Sequence, residues 1–396
     1  MKIVVSIEHR YKGTPDGAVW TQTQFPYSFW TRYLEVFDGV KVVARVQPVD
    51  SVPDDYKRVD GENVTVSAIP YYVGPWQYLK QAQKVKNAAR QAVELQDAVM
   101  LRPSSTIADC IEPLLRDTNH PYGVEVVADP YDAFAPGSIK HPLRPFFRWL
   151  TSRNLRRQCA NAHAAAYVTE FALQRRYPPN PNAFATYFSD VQLPPFLSAP
   201  RSPKTNGRFT LIAVGTLAQL YKAPDILVEA VASCIQQGLD LELLWLGDGK
   251  HKVELEDRVA ELGLSDRLHF IGQLASGNAV QEKLDRADLF VLPSYQEGLP
   301  RATIEAMARG LPCIGSTVGG FPELLADEDL VPPGDVSALA AKIREVVTDP
   351  ERMAKMSARN LTKAHDYEEE GLKQRRLEYY RYVRQMTETW LKTRSS

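Results

Sequence analysis

Pro293-Ser294-Tyr295-Gln296-Glu297-Gly298-Leu299-Pro300-Arg301-Ala302-Thr303-Ile304-Glu305-Ala306-Met307-Ala308 reads as a buried strand end, a glycine turn and the opening of a helix. Pro300 falls at the first helical position, where its missing N–H costs nothing. The amides of Leu299, Arg301 and Ala302 are then free to face a cleft. A helix start with free amides and the positive dipole end is an anion site. Glu305 lies more than a turn inside that helix, where a carboxylate can accept from two vicinal hydroxyls, as a ribose offers. A plainer role is equally open from the residues alone: Glu297 complementing the helix dipole, Glu305 a solvated charge.

On both sides of this stretch, strands and helices alternate. Downstream of residue 207, strands at 209–214, 241–246, 268–271, 289–293 and 312–316 alternate with helices at 225–237, 252–262, 280–287 and 300–309. Several strands end at glycine (Gly215, Gly247, Gly272), as a close approach of backbone to ligand requires. Upstream, strands at 2–7, 40–46, 64–69, 98–102, 124–127 and 166–169 alternate with helices at 79–95 and 144–165. Alternation of this kind predicts doubly wound α/β domains with parallel sheets, whose ligands sit beyond the C-terminal strand ends. Pro194, Pro195, Pro200 and Pro203 mark 192–206 as the linker. The division is 1–191, 207–365 and a charged, tyrosine-bearing helix at 366–396 that packs back on the first domain, with a cleft between two Rossmann-like domains.

Composition excludes several classes. The chain has 396 residues and a formal net charge of -1, and its halves carry +3 and -4, too mild for a nucleic-acid partner. Four scattered cysteines without CxxC spacing read as buried thiols of a reducing compartment. The opening apolar run is too short for a signal peptide, and no window approaches a membrane span; the expectation is a cytoplasmic protein. No GxGxxG or GxxxxGK[ST] occurs, which counts against a dinucleotide dehydrogenase or a P-loop NTPase.

The Glu297 to Glu305 spacing, with Gly310-Leu311-Pro312-Cys313-Ile314-Gly315 and Gly319-Gly320-Phe321-Pro322-Glu323-Leu324-Leu325, resembles the signature of the retaining glycosyltransferases of family four, which share the GT-B fold. The resemblance is specific over 207–335 and only topological over 1–190. It implies a donor nucleotide-diphosphate sugar, with Glu297 near the sugar and Glu305 on the ribose. Gly215-Thr216-Leu217-Ala218-Gln219-Leu220-Tyr221-Lys222 matches a second landmark, in which Lys222 would face the donor diphosphate. Relatives commonly carry Arg at the position of Thr216. Gly247-Asp248-Gly249 resembles the glycine turn beside the nucleotide. The expected donor-binding set is Gly215, Thr216, Gly247, Leu299, Pro300, Arg301 and Glu305, and the catalytic set Lys222, Glu297 and Asp129.

The first domain should hold the hydroxyl acceptor, with a lipid-linked or polysaccharide intermediate among the candidates. Asp129 follows a strand and could orient the acceptor hydroxyl; its plainer role is a turn residue before Pro130. His9 follows the first strand and could face the cleft, and Gly13 and Gly17 loosely match the family's glycines near the donor phosphates. The segment 140–157 carries Lys140, Arg144, Arg148, Arg153, Arg156 and Arg157 among Phe146, Phe147, Trp149 and Leu150, without an acidic residue from 133 to 169. It suits peripheral contact with an anionic membrane face, or a helix with its basic side in water. No Asp-x-Asp cluster is present, so no metal is expected, and no cofactor besides the donor substrate. Two further readings stay open: a sugar-nucleotide 2-epimerase acting on the donor alone, and a non-catalytic nucleotide-sugar-binding protein, which Thr216 in place of Arg keeps alive.

Overall fold

The computed structural model describes residues 1–22, 24–134, 142–274 and 277–395. Residues 1–187 build a sheet from β1 (Lys2–Gly13), β2 (Val19–Thr21), β3 (Gly39–Pro48), β4 (Lys57–Arg58), β5 (Val64–Ile69), β6 (Ala98–Leu101), β7 (Gly123–Val126), β8 (Ala164–Tyr167) and β9 (Phe184–Tyr187). The parallel part runs β5-β3-β1-β6-β7-β8-β9. Strands such as Ala98–Leu101 and Ala164–Tyr167 are buried at every position, as expected of strands covered on both faces.

The second sheet is wholly parallel in the order β12-β11-β10-β13-β14-β15. Its strands are β10 (Phe209–Val214), β11 (Leu241–Leu246), β12 (Leu268–Gly272), β13 (Leu289–Leu292), β14 (Cys313–Ser316) and β15 (Leu330–Val331). Chain order reverses between β1 and β6 in the first sheet and between β10 and β13 in the second. These switch points are where an open α/β sheet leaves a crevice for ligand.

Two expectations are corrected here. The first strand does not end at Ile7. After a register shift between Ser6 and Arg10 it continues to Gly13, pairing with β2 through Lys12↔Trp20. His9 therefore lies within β1, where its Nε2 meets Thr21 Oγ1 at 3.1 Å. Gly13 closes the strand and Gly17 takes a positive φ of 84° in the following turn. Both serve a hairpin whose Thr14 N–H donates to the Ala18 carbonyl at 3.0 Å. The expected helices at 79–95 and 144–165 run instead over Gly74–Gln91 and Arg144–Asn161, and a helix at Thr106–Asp117 was not anticipated.

The chain crosses between domains twice, at the extended stretch after Tyr187 and again near Tyr367. The crossings touch: Phe196 stacks on His365 with ring centroids 4.2 Å apart. The last helix, Glu369–Ser395, lies on the first sheet, where Tyr379 OH donates to the Val124 carbonyl at 2.7 Å and Tyr380 stacks on Tyr33 at 4.5 Å. Both tyrosines are fully buried. No helix among the described residues is long and apolar enough to cross a membrane.

Candidate functional site

The loops after β10 and β13 lie on either side of the second switch point and bring the candidate residues together. Lys222 ends a short turn, Leu220–Lys222, fixed by Ala223 in the left-handed region (φ 54°) and by Pro224 at the start of the next helix. A side chain at Gly215 would put its Cβ 3.1 Å from Lys222 Cγ, so the lysine stem crosses the glycine closely. Lys222 Nζ donates to Glu297 Oε1 at 2.5 Å, and Ser294 Oγ donates to the same oxygen at 2.7 Å. Glu297 is 6% exposed. The ion pair thus sits in a largely dry place, where such contacts are stronger than in water.

Gly247 and Gly249 are required by shape. Both have positive φ, 138° and 156°, and a Cβ would come within 2.0 Å of Gly215 O and 2.1 Å of Ala218 N respectively. The two loops are stitched by Leu217 N–H to Asp248 O at 2.9 Å. Thr216 joins them too: its hydroxyl donates to Asp248 O at 3.3 Å and accepts from Ala218 N–H at 3.1 Å.

The helix opened by the signature spans Arg301–Ala308, with Pro300 as the residue before it and not its first member. Pro300's carbonyl accepts from Thr303 and Ile304, so the amides of Arg301 and Ala302 stand ahead of the hydrogen-bond ladder. Glu305 is half-buried on this helix. Burial pushes its carboxyl up to about 7, with Arg301 opposing the shift. On the expectation that Glu305 takes a ribose, whose hydroxyls donate and are met best by the ionised form, an empty site below that pH must lose a proton to bind it. Nucleotide affinity should therefore fall about tenfold per pH unit below about 7, and Glu305→Gln should flatten that slope. Calorimetry at pH 6 and 8 on both proteins checks this; equal slopes would sink the ribose assignment.

Asp129 is not placed to orient an acceptor. It caps a helix start, its Oδ1 accepting from Tyr131 N–H at 2.8 Å and Tyr177 OH at 2.6 Å, while Oδ2 takes the Arg176 guanidinium. At 3% exposure its oxygens are spent inside the first domain. The turn role before Pro130 is the one the structure gives it.

The domains meet closely beside the site. A Cβ on Gly298 would lie 2.4 Å from the Val127 carbonyl of the first domain. Glu323, from the Phe321–Leu324 turn, accepts from the amides of Glu170, Phe171 and Ala172 at 2.7, 3.0 and 2.5 Å, capping a first-domain helix with a second-domain carboxylate. Between the domains is a cavity of about 590 Å³ whose walls include Phe25, Arg32, Lys57, Arg102, Leu299 and Arg301. Arg102 donates to Glu125 Oε2 at 2.6 Å, and Arg32 and Arg102 both hold Asp190, which drops to about 2: burial opposes the shift and the two arginines prevail. The sequence reading missed Arg32, Lys57, Arg102 and Asp190. Arg102, a polar residue directly after a buried strand, carried the only signal. Among the described residues no group of three His, Cys, Asp or Glu side chains could hold a metal ion.

Comparison with known proteins places this geometry. Residues 198–362 match the family model of glycosyl transferases group 1. The chain is similar to protein CapJ of Staphylococcus aureus, 27% identical over 327 residues, covering 82% of this chain and 81% of that protein. It is also similar to the 2-deoxystreptamine glucosyltransferase of Streptomyces kanamyceticus, 34% identical over 126 residues, but only 31% of this chain and 32% of that enzyme are covered. Among solved structures, sucrose-phosphate synthase from Thermosynechococcus elongatus superposes with a TM-score of 0.66 at 17% identity, covering 97% of this chain and 99% of that one. HepE of Anabaena, solved with UDP and glucose, gives 0.62 at 17% identity over 96% and 98%. At such identities the structural likeness speaks for the fold.

Proposed function

Given that this chain is a GT-B glycosyltransferase of group 1, we propose that it moves a hexosyl residue from a uridine-diphosphate sugar to a hydroxyl of a growing glycan, with retention at the anomeric carbon. The observation that carries this is the Lys222–Glu297 pair across the second switch point, beside the free amides of the Arg301–Ala308 helix. UDP as the donor nucleotide is suggested by HepE, whose structures hold UDP and UDP-glucose. The neighbours make a transferase a better account than an epimerase or a binding protein.

In the reaction, the bond from C1 to the diphosphate oxygen breaks, a bond from C1 to the acceptor oxygen forms on the same face, and the acceptor proton goes to the departing diphosphate. Negative charge grows on that diphosphate, and preorganised donors aimed at it supply the main stabilisation. Lys222 turns from Glu297 to the phosphates, the amides of Arg301 and Ala302 add their donors, and Glu305 takes the ribose. The diphosphate charge is met without a metal in this scheme, so a chelator should leave the rate unchanged.

The test is incubation with a panel of UDP-hexoses and acceptor oligosaccharides, following UDP release and reading the product anomer by NMR. A sugar inverted at C2 without acceptor would make the chain an epimerase. Binding without turnover would leave only a carrier, and an inverted anomer would overturn retention.

A lipid-linked acceptor at the cytoplasmic membrane face fits one exposed surface. Leu143, Phe146 and Trp149 are exposed by 51, 51 and 55%, and they share a face of Arg144–Asn161 with the exposed Arg153 and Arg156. Arg148 is tied to Tyr131 and Arg157 to Glu112, Arg156 donates through Nε to the Arg176 carbonyl at 3.0 Å while its side chain stays exposed, and Lys140 lies outside the described residues. With ~1 kcal/mol per cation near an anionic surface, Arg153→Ala/Arg156→Ala should lower binding to phosphatidylserine vesicles by about tenfold or more. Equal sedimentation of variant and wild type with these vesicles would remove the membrane from the reading.

A further inference from the structure

The first domain holds a second cavity, of about 630 Å³, which the reaction above does not use. It is built on the far half of β1, beyond the register shift, with β2 and the approach to β4 as its wall. Its lining includes Arg10, Lys12, Trp20, Arg45, Tyr56 and Tyr71. Arg10 and Lys12 alternate along one strand, which sets them on one side about 7 Å apart. Lys12 Nζ stands 4.6 Å over the Tyr56 ring. Glu8, the acid in the lining, is already engaged by Arg45 at 3.1 Å, Tyr72 OH at 3.0 Å and Ser105 Oγ at 2.8 Å. Among the described residues Arg10 has no carboxylate within ion-pair distance.

The local field is positive. His9 is held neutral, its imidazole pushed down to about 4 by burial first and then by Arg10 and Arg45. His9 is also part of the partition between this cavity and the interdomain one: it meets Thr21 on its own side and the edge of Phe25, 5.5 Å away, on the other. Tyr56 and Lys57, neighbours in the chain, line the second cavity and the interdomain cavity respectively. The interdomain side has the same sign: Arg32, Lys57, Arg102 and Arg301 line it with one carboxylate, Asp190, which Arg32 and Arg102 hold. Two cavities of like charge, separated by a thin aromatic wall, suit one extended anionic ligand passing over that wall.

We propose that the second cavity is a subsite for an acidic glycan, the carboxylate-bearing chain behind the accepting sugar, with its rings against Trp20, Tyr56 and Tyr71 and its carboxylates on Arg10 and Lys12. Cations spaced along a strand suit charges repeated along a chain better than one compact dianion. Aromatic faces with polar edges give a ring-shaped, hydroxylated ligand contact area without burying its hydroxyls. This rests on the transferase reading and assigns the class of acceptor to it.

The test is calorimetry on the full chain with three probes: UDP, tetragalacturonate and uncharged maltotetraose. Tetragalacturonate is expected to bind at least tenfold more tightly than maltotetraose. Arg10→Gln/Lys12→Gln should weaken tetragalacturonate about tenfold while leaving UDP affinity as it was, and Trp20→Ala should weaken both tetrasaccharides. Equal affinity for the two tetrasaccharides, no binding of either, or insensitivity to the Arg10/Lys12 change overturns the subsite. Failure of UDP to bind overturns the transferase reading instead, so the two failures are told apart in one set of runs.

Discussion

Lys222→Ala is expected to lower turnover at saturating donor by a hundredfold or more. A diphosphate gains charge as the glycosidic bond lengthens, and a cation that interacts more strongly with that charge than with the ground state lowers the barrier selectively. Loss of one preorganised donor of this kind costs about 3–4 kcal/mol of transition-state stabilisation. With Thr216 tied to Asp248 and Ala218, and no arginine at its position, the second domain has fewer cations to share the load. Removing Lys222 also leaves the Glu297 carboxylate buried with Ser294 as its one remaining side-chain donor among the described residues, and an uncompensated buried charge destabilises. Lys222→Ala/Glu297→Gln resolves this: it should recover the thermal midpoint without recovering turnover. Near wild-type turnover in Lys222→Ala would remove the lysine from the leaving-group role and make Arg301 the leading cation.

Gly298→Ala is expected to leave each domain folded and lower turnover about ten- to hundredfold. The new methyl would meet the Val127 carbonyl at 2.4 Å, a first-domain atom. Gly298 itself has no positive φ to lose, so the second domain should tolerate alanine. Overpacking against unyielding backbone costs about 1–3 kcal/mol, and here that cost falls on the closed arrangement alone. Opening the cleft relieves it, at the expense of the Glu323 cap and of the site's exclusion of water. Solution scattering should show a larger radius for the variant, with UDP affinity kept to within a few-fold. An unchanged radius and full turnover would show that the close contact at Gly298 has no part in catalysis.

The α/β class and the second sheet were legible because buried parallel strands are short apolar runs, and Phe209–Val214, Leu241–Leu246 and Leu289–Leu292 show that pattern plainly. What failed was local. The far half of β1, His9-Arg10-Tyr11-Lys12-Gly13, is half polar because one side faces a cavity, so it looked like loop. Pro300 lies one residue before the helix because its ψ of 90° is extended. Motif spacing marked Lys222 and Glu297 separately, but their hydrogen bond depends on a fold that joins residues 75 apart in sequence. Asp129 misled because a strand-end carboxylate reads the same whether it turns to the cleft or back to Arg176 and Tyr177. Arg32 comes from the helical turn Thr31–Glu35, Lys57 from β4 and Arg102 from the residue after β6, and they converge only through the first sheet's topology.

The contact of Phe196 with His365 has a mechanical consequence. Two covalent straps that run side by side act like a pair of hinge pins set close together. They permit the halves to swing and twist about one neighbourhood while resisting translation apart. Points far from the pins travel furthest for a given rotation. A cut in one strap alone does not release either half: with the first strap cut, the second still leads into the last helix, whose Tyr379 and Tyr380 are sunk into the first sheet, and with the second cut, the first strap remains. The machine therefore survives a nick that would separate two beads on a single string.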